Sequence, residues 1–247
     1  MIGLVLAAGQ GARLRPETDA LPKTLLTVDG DLTILDVILR NLAKVDITDV
    51  AVVAGYAAGE VVDRVPDLEA RHGVSIEIIT NDRYDRNNAY SLWLARDAYA
   101  DGAVLVNGDT VHPVDVEQTL LASQNGAGHR GDLVLAIDVT KPLTDEAMKV
   151  TLTDEQTVQR ITKQMAIADA RGEYIGATLI GADVADDLAA ALRETWQRDP
   201  NLYYEDGYQL LADQGVPVAV APLPPLEWVE VDDHADLARA RELACRC

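Results

Sequence analysis

Two arginines, a lysine and several carboxylates stand in this sequence at spacings suited to a phosphorylated ligand. The run Leu4-Val5-Leu6-Ala7-Ala8-Gly9-Gln10-Gly11-Ala12-Arg13-Leu14-Arg15-Pro16 passes from apolar residues through small ones into two glycines and two arginines. Small residues let backbone N–H groups approach a phosphate or a base edge, and glycine adopts turn conformations that other residues resist. A dinucleotide fingerprint would need a third glycine where Leu14 stands, and a P-loop would need Gly-Lys-Ser/Thr. Neither is present. A plain strand-to-loop turn accounts for the glycines, but not for the positive spot that Arg13, Arg15 and Lys23 make on a very negative chain.

Three further segments carry polar chemistry. Val106-Asn107-Gly108-Asp109 ends an apolar run with a lone carboxylate, where a parallel sheet binds its ligands. In Trp228-Val229-Glu230-Val231-Asp232, strand alternation puts Glu230 and Asp232 on one face. Asn81-Asp82-x-Tyr84-x-x-Asn87-Asn88-x-Tyr90-Ser91-Leu92 sets two amides before a helix. Amides both donate and accept, which suits a pyrimidine edge, and a helix start favours an anion. Turn and capping roles for Asn81 and Asn88 are the alternative.

The elements that must position these residues follow from periodicity. Short apolar runs at 2–7, 50–54, 75–80 and 103–107 read as buried parallel strands, with helices at 33–44, 58–65 and 89–98 between them. Thr33 is a candidate cap for the first helix. This βαβ rhythm predicts an α/β fold, a Rossmann-like, mixed and mostly parallel sheet flanked by helices. After about residue 131 the pattern changes to strands at 132–139, 148–152, 157–162 and 174–180 with short connections, a small β-rich lobe. Helices at 183–197 and 204–214, strands at 216–221 and 227–231, and a helix at 234–243 complete the chain. With no repeat and no long linker, residues 1–247 read as one domain, with halves at about 1–130 and 131–247.

Composition narrows the partners. Of 247 residues, 41 are acidic and 21 basic, a formal charge of −20, which excludes a non-specific nucleic-acid or anionic-membrane binder. At 48% hydrophobic residues the chain can bury a full core. Asp outnumbers Glu 28 to 13, only five lysines occur and Phe is absent. Adaptation to high salt and an ordinary acidic surface both fit that bias. Cys245 and Cys247 lie too close together to staple a fold, and no run of about 18 apolar residues occurs, so a cytoplasmic protein is expected.

On these residues a resemblance emerges. Leu6-Ala7-Ala8-Gly9-x-Gly11-x-Arg13-Leu14 followed by Pro22-Lys23 resembles the signature of nucleotidyltransferases that join a nucleoside triphosphate to a phosphorylated small molecule. The Asn87-Asn88 segment is similar to that of phosphocholine cytidylyltransferases and their phosphonate-activating relatives, where sugar-phosphate enzymes carry a Gly-rich segment. Ala147-Met148-Lys149-Val150, Ile161-Thr162-Lys163 and Glu173-Tyr174-Ile175-Gly176 follow the same group's order, so the likeness spans nearly the whole chain. Thr24 after the lysine is a mild departure.

The resemblance implies a nucleotide-diphospho-sugar transferase type of fold, with the 131–247 half binding the acceptor. It further implies CTP as the favoured nucleotide and a small phosphorylated or phosphonylated alcohol or amine as acceptor. It implies nucleotide binding by Leu6, Ala7, Ala8, Gly9, Gly11, Asn87, Asn88 and Ser91, and phosphate handling by Arg13 and Lys23. Asp109 and Asp232, with Glu230 as a weaker third, would hold Mg²⁺. Lys149 and Lys163 would meet the acceptor phosphate, and Tyr204, Glu205 and Trp228 its cationic group. A sugar-1-phosphate or inositol-phosphate nucleotidyltransferase, and a catalytically silent nucleotide-binding module, stay open as alternatives. The resemblance sets no oligomeric state, and an oligomer is compatible with it.

Overall fold

The computed structural model describes residues 1–123 and 133–244. The first strand, β1 (Ile2–Ala7), is buried on both faces, with Val5 in one apolar layer and Leu4 in the other. A short hairpin, β2 (Thr27–Asp29) and β3 (Leu32–Thr33), leads into α1 (Ile34–Lys44). Thr33 caps α1 through a reciprocal capping box, its hydroxyl accepting from Asp36 N while Asp36 accepts from Thr33 N. Then come β4 (Asp49–Ala54), α2 (Ala58–His72), β5 (Ser75–Thr80), α3 (Asn88–Leu94) and β6 (Ala103–Asn107). Helix α2 runs past Pro66, where periodicity stops the prediction at residue 65, because Val61 and Leu68 both keep their places in the core.

Beyond β6 lie β7 (Thr110–Val111) and α4 (Asp115–Ser123), then β8 (Leu133–Asp138), β9 (Lys149–Leu152), β10 (Val158–Thr162) and β11 (Gly172–Ile180). Two helices, α5 (Ala185–Arg198) and α6 (Tyr204–Asp213), precede β12 (Val218–Pro222), β13 (Val229–Glu230) and α7 (His234–Ala244). Nine strands join in one mixed sheet, ordered β10-β9-β11-β6-β1-β4-β5, with β8 pairing β11 and β12. The block β6-β1-β4-β5 is parallel, whereas β11 runs antiparallel to β6, β8 and β9. The mixed sheet flanked by helices agrees with the fold class the sequence predicts.

One side of the sheet packs α1, α2, α4 and α7, and the other packs α3, α5 and α6. In the register, Leu6 pairs with both Val53 and Asn107, so β1, β4 and β6 end level. Their carboxyl ends therefore present one shared edge, where a parallel sheet places its ligand. Without phenylalanine, the second layer uses buried tyrosines instead: Tyr174, Tyr204 and Tyr208 pack ring against ring, and their hydroxyls reach Thr178 and one another. A buried phenol needs such partners. Among the described residues no helix is long and apolar enough to cross a membrane, and the two cysteines lie outside those residues.

Candidate functional site

The site is built on the two-stranded pairing of β7 with β13, set at the carboxyl edge of the main sheet. Val111 pairs with Val229 and Thr110 with Glu230, while Val231 N donates to Asp109 O at 2.9 Å. Asp109 is brought down onto β1 by Gly108, whose N donates to Leu6 O. A Cβ at Gly108 would stand 2.6 Å from that same carbonyl, so only glycine allows the approach. Strand alternation then buries Val231 and leaves Glu230 and Asp232 beside Asp109.

One carboxylate oxygen from each of Asp109, Glu230 and Asp232 lies within 4.8 Å of the others. Lys23 ties two of them together, with Nζ 2.8 Å from Asp109 Oδ2 and 2.9 Å from Asp232 Oδ1. Arg13 Nη2 meets the other oxygen of Asp232 at 2.8 Å. Burial alone would favour neutral Lys23, but Asp109 and Asp232 outweigh it and raise its pKa above the ordinary lysine value. Burial likewise opposes the ionised form of Asp232, yet Lys23 and Arg13 hold its carboxyl below the usual range. Glu230, exposed at the rim, goes the other way, pushed up by partial desolvation of its carboxylate and by the negative charges of Asp109 and Asp232. With all three carboxylates ionised the cluster carries one more negative charge than Lys23 and Arg13 neutralise, and the raised Glu230 carboxyl relieves that excess by taking a proton.

The loop after β1 borders this cluster. Gly11 has φ of 59°, in the left-handed region, and starts a short turn of 3₁₀ helix through Leu14 that sets Arg13 beside Asp232. Leu6, Ala8, Gly9 and Arg13 line a cleft of about 270 Å³ that ends on Asp109, Glu230 and Asp232. A Cβ at Gly9 would meet no protein atom within 4 Å, so a side chain there would intrude on the cleft. Ala7 is buried beneath the loop, and Lys23 reaches the cluster from behind.

Asn87, Asn88 and Ser91 line the opposite wall at the start of α3. Their side chains are already engaged. Asn87 Oδ1 accepts from Asn88 N and its Nδ2 donates to Asn201 O, while Asn88 Oδ1 accepts from Tyr204 N. Ser91 Oγ accepts from Asn81 Nδ2. Asn88 and Asn81 thus take the capping and turn roles the sequence left open, Asn88 at the start of α6 and Asn81 on Arg83 N, while Asn87 caps α3.

Of the residues expected to meet an acceptor, the structure brings two to the cleft region and excludes three. Lys163 lines the cleft and, together with Tyr203, a neighbouring cavity of about 840 Å³ that Glu205 also borders. Lys149 is a correction: it is 1% exposed, and its ammonium donates to the carbonyls of Asp145, Ala147 and Lys163, closing the β9–β10 end. Tyr204 is a second, fully buried with its hydroxyl donating to Asn107 Oδ1. Trp228 is a third, since its Nε1 donates to Asp138 Oδ2 and its ring lies under Lys141, away from the cleft. Tyr203, Asn107 and Arg86 also line the cleft, Arg86 stacked over Tyr90 and Trp196. The signal for Tyr203 was present, because Tyr204, Tyr208 and Leu211 form the helical stripe that must face the core and leave Tyr203 outside it.

The carboxylate trio also answers for a metal. Its oxygens suit a hard divalent cation, and Asp109 Oδ1 is buried with no hydrogen-bond partner, an acceptor left unused by the protein.

A mixed sheet with a cation-bridged carboxylate cluster at its carboxyl edge makes this an α/β protein with a polar cleft, and comparison with known proteins makes the class specific. The chain belongs to the Nucleotidyl transferase family, whose pattern matches residues 2–162. It is similar to a choline-phosphate cytidylyltransferase of Streptococcus pneumoniae (strain ATCC BAA-255 / R6), 33% identical over 106 residues, 42% of this chain and 43% of that protein. It is also similar to a CMP-5'-(3-aminopropyl)phosphonate synthase of Streptomyces rubellomurinus (strain ATCC 31215), 30% identical over 248 residues, 96% of this chain but 38% of that protein. The chain thus spans less than half the length of either relative. An inositol-1-phosphate CTP transferase from T. maritima shares the fold, with a TM-score of 0.79 at 23% identity over 99% of this chain and 94% of that one.

Proposed function

We propose that the protein is a cytidylyltransferase that couples CTP to a small phosphorylated or phosphonylated alcohol or amine and releases pyrophosphate. The observation that carries this reading is Lys23 bridging Asp109 and Asp232 at the end of a glycine loop, with Arg13 on the same cluster. A phosphate or phosphonate oxygen of the acceptor forms a bond to the α-phosphorus. The bond from that phosphorus to the bridging oxygen of the β-phosphate breaks, and pyrophosphate leaves with the electron pair. No side-chain nucleophile is required, so positioning and charge neutralisation supply the rate.

Arg13 takes charge from the leaving pyrophosphate and Lys23 from the α-phosphate. Leu6, Ala8, Gly9, Asn87, Asn88 and Ser91 shape the nucleotide cleft, and Lys163 receives the acceptor phosphate. Asp109 and Asp232, with Glu230, would hold Mg²⁺, which supplies charge neutralisation on the triphosphate when bound. Both halves of the chain act as one domain around this cleft. Support for the cytidine and for the acceptor class comes from the relatives and from the Asn87-Asn88 motif. Pyrophosphate release with Mg²⁺ tests the reading, using CTP, UTP, dTTP, ATP and GTP against phosphoethanolamine, phosphocholine, 2-aminoethylphosphonate, inositol phosphate and glucose 1-phosphate. Release confined to CTP with the amine-bearing or choline-bearing acceptors is expected, and no release from any pair refutes it.

A further inference from the structure

The cavity beside the cleft differs in chemistry from the cleft itself. It shares Lys163 and Tyr203 with the cleft, so it adjoins the place proposed for the acceptor phosphate. Four carboxylates, Asp145, Glu146, Glu205 and Asp206, line it against the single ammonium of Lys163. Asp206 Oδ2 already accepts from Tyr203 N. Glu205 stands apart. It is 6% exposed, and its Oε2 is buried with no hydrogen-bond partner. A buried acceptor left unpaired is destabilising, and burial accordingly pushes the Glu205 carboxyl up to about 8. A ligand that brings an N–H to this oxygen removes that penalty.

The same cavity is poor in what a quaternary ammonium needs. Such a cation has no N–H and is recognised by aromatic faces. Among the described residues lining the cavity, Tyr203 is the one aromatic ring, and Lys163 Nζ lies 5.6 Å from its centroid. Tyr204 and Trp228, the other aromatic candidates, are hydrogen-bonded elsewhere. We infer that the acceptor carries a protonated primary amine, whose ammonium donates to Glu205, and that the site discriminates against the trimethylated form. This rests on the proposed transfer reaction for the acceptor's phosphate end, while the amine subsite stands on Glu205 alone.

Phosphoethanolamine and phosphocholine differ only in the three methyl groups on nitrogen and make the test. Each is titrated into the full chain by calorimetry and assayed for pyrophosphate release with CTP and Mg²⁺, for the wild type and Glu205→Gln. Binding and kcat/KM at least about tenfold better for phosphoethanolamine are expected, the effect of one charge-assisted hydrogen bond. Glu205→Gln should shrink that ratio to below about threefold while the KM for CTP holds, which also shows the variant folded. Equal or better use of phosphocholine overturns the inference, as does a ratio untouched by Glu205→Gln. If inositol phosphate or glucose 1-phosphate alone releases pyrophosphate, the amine subsite fails and nucleotidyl transfer survives. If phosphoethanolamine binds through Glu205 but no acceptor releases pyrophosphate, the transfer reaction fails and the subsite survives.

Discussion

Two aspartates of this molecule are each held by basic side chains, and they are held for opposite ends. Asp36, at the start of α1, is closed on every side: Oδ1 meets Arg71 Nη1 at 3.0 Å and His72 Nε2 at 2.7 Å, while Oδ2 accepts from Thr33 N and Oγ1. Asp109 has Lys23 on Oδ2, nothing on its buried Oδ1, and two further carboxylates within 4.8 Å. The first arrangement satisfies every lone pair that faces the protein and steadies a helix. The second crowds like charges and keeps an acceptor in reserve, which costs stability and is useful only to a ligand that brings positive charge. Pairing with a base is therefore no mark of a site; Asp109 is set apart by an unpaired oxygen beside two further carboxylates on the wall of a cleft.

Substitutions that separate activity from stability would break or sharpen this contrast. The largest effect is expected at Lys23. Lys23→Ala should lower kcat for pyrophosphate release by about 10³-fold, the scale of losing one preorganised charge, with folding retained by circular dichroism. Asp109→Asn should follow at about 10²-fold or more, and its melting temperature should hold or rise because a like charge has left the cluster. Asp36→Ala should do the reverse, lowering stability by about 3 kcal/mol in urea titrations, through the lost cap and orphaned partners, while kcat stays near wild type.

Acid should reveal the same division. The Asp36 carboxyl is lowered from 3.8 to about 2: burial opposes ionisation, and His72, Thr33 and Arg71 overcome it. The unfolded chain binds this proton more readily, so the contribution is fully present above about pH 4 and is lost as pH falls toward 2. Urea midpoints between pH 5 and 2.5 should fall less steeply for Asp36→Asn than for the wild type, and parallel slopes would contradict the assignment. The smallest effect belongs to Tyr204→Phe. It should cost about 1 kcal/mol of stability, with the acceptor KM unchanged, because the phenol serves Asn107 and the core. A raised acceptor KM with unchanged stability would return Tyr204 to the binding cavity.

β1 and β6 were legible to the residue as apolar runs, and β4 to within one residue, but β5, expected as a buried strand, is an edge strand with Glu77 in its middle and no residue fully buried. Glu230 and Asp232 were legible from a different signal, the alternation with buried Val229 and Val231. Helix α4 was not, because buried Glu117 interrupts its apolar stripe. Strands β2, β3 and β7, at two or three residues each, are too short to show a period. Lysines in strands were the hardest to read. Lys149 and Lys163 sit in similar motifs, yet one ammonium is enclosed by two carbonyls of the loop before β9 and a third just after β10, and the other residue lines the cleft. Only the assembled fold distinguishes them.

The proposed transfer of a nucleotide to an acceptor phosphate depends on the Lys23–Asp109–Asp232 cluster. Its most direct measurement is pyrophosphate release from CTP and phosphoethanolamine by the wild type and by Lys23→Ala, side by side with Mg²⁺. Turnover by the wild type, dropping about 10³-fold in the variant, is expected. Equal release by the two proteins, or none by the wild type with any nucleotide and acceptor pair, would contradict it.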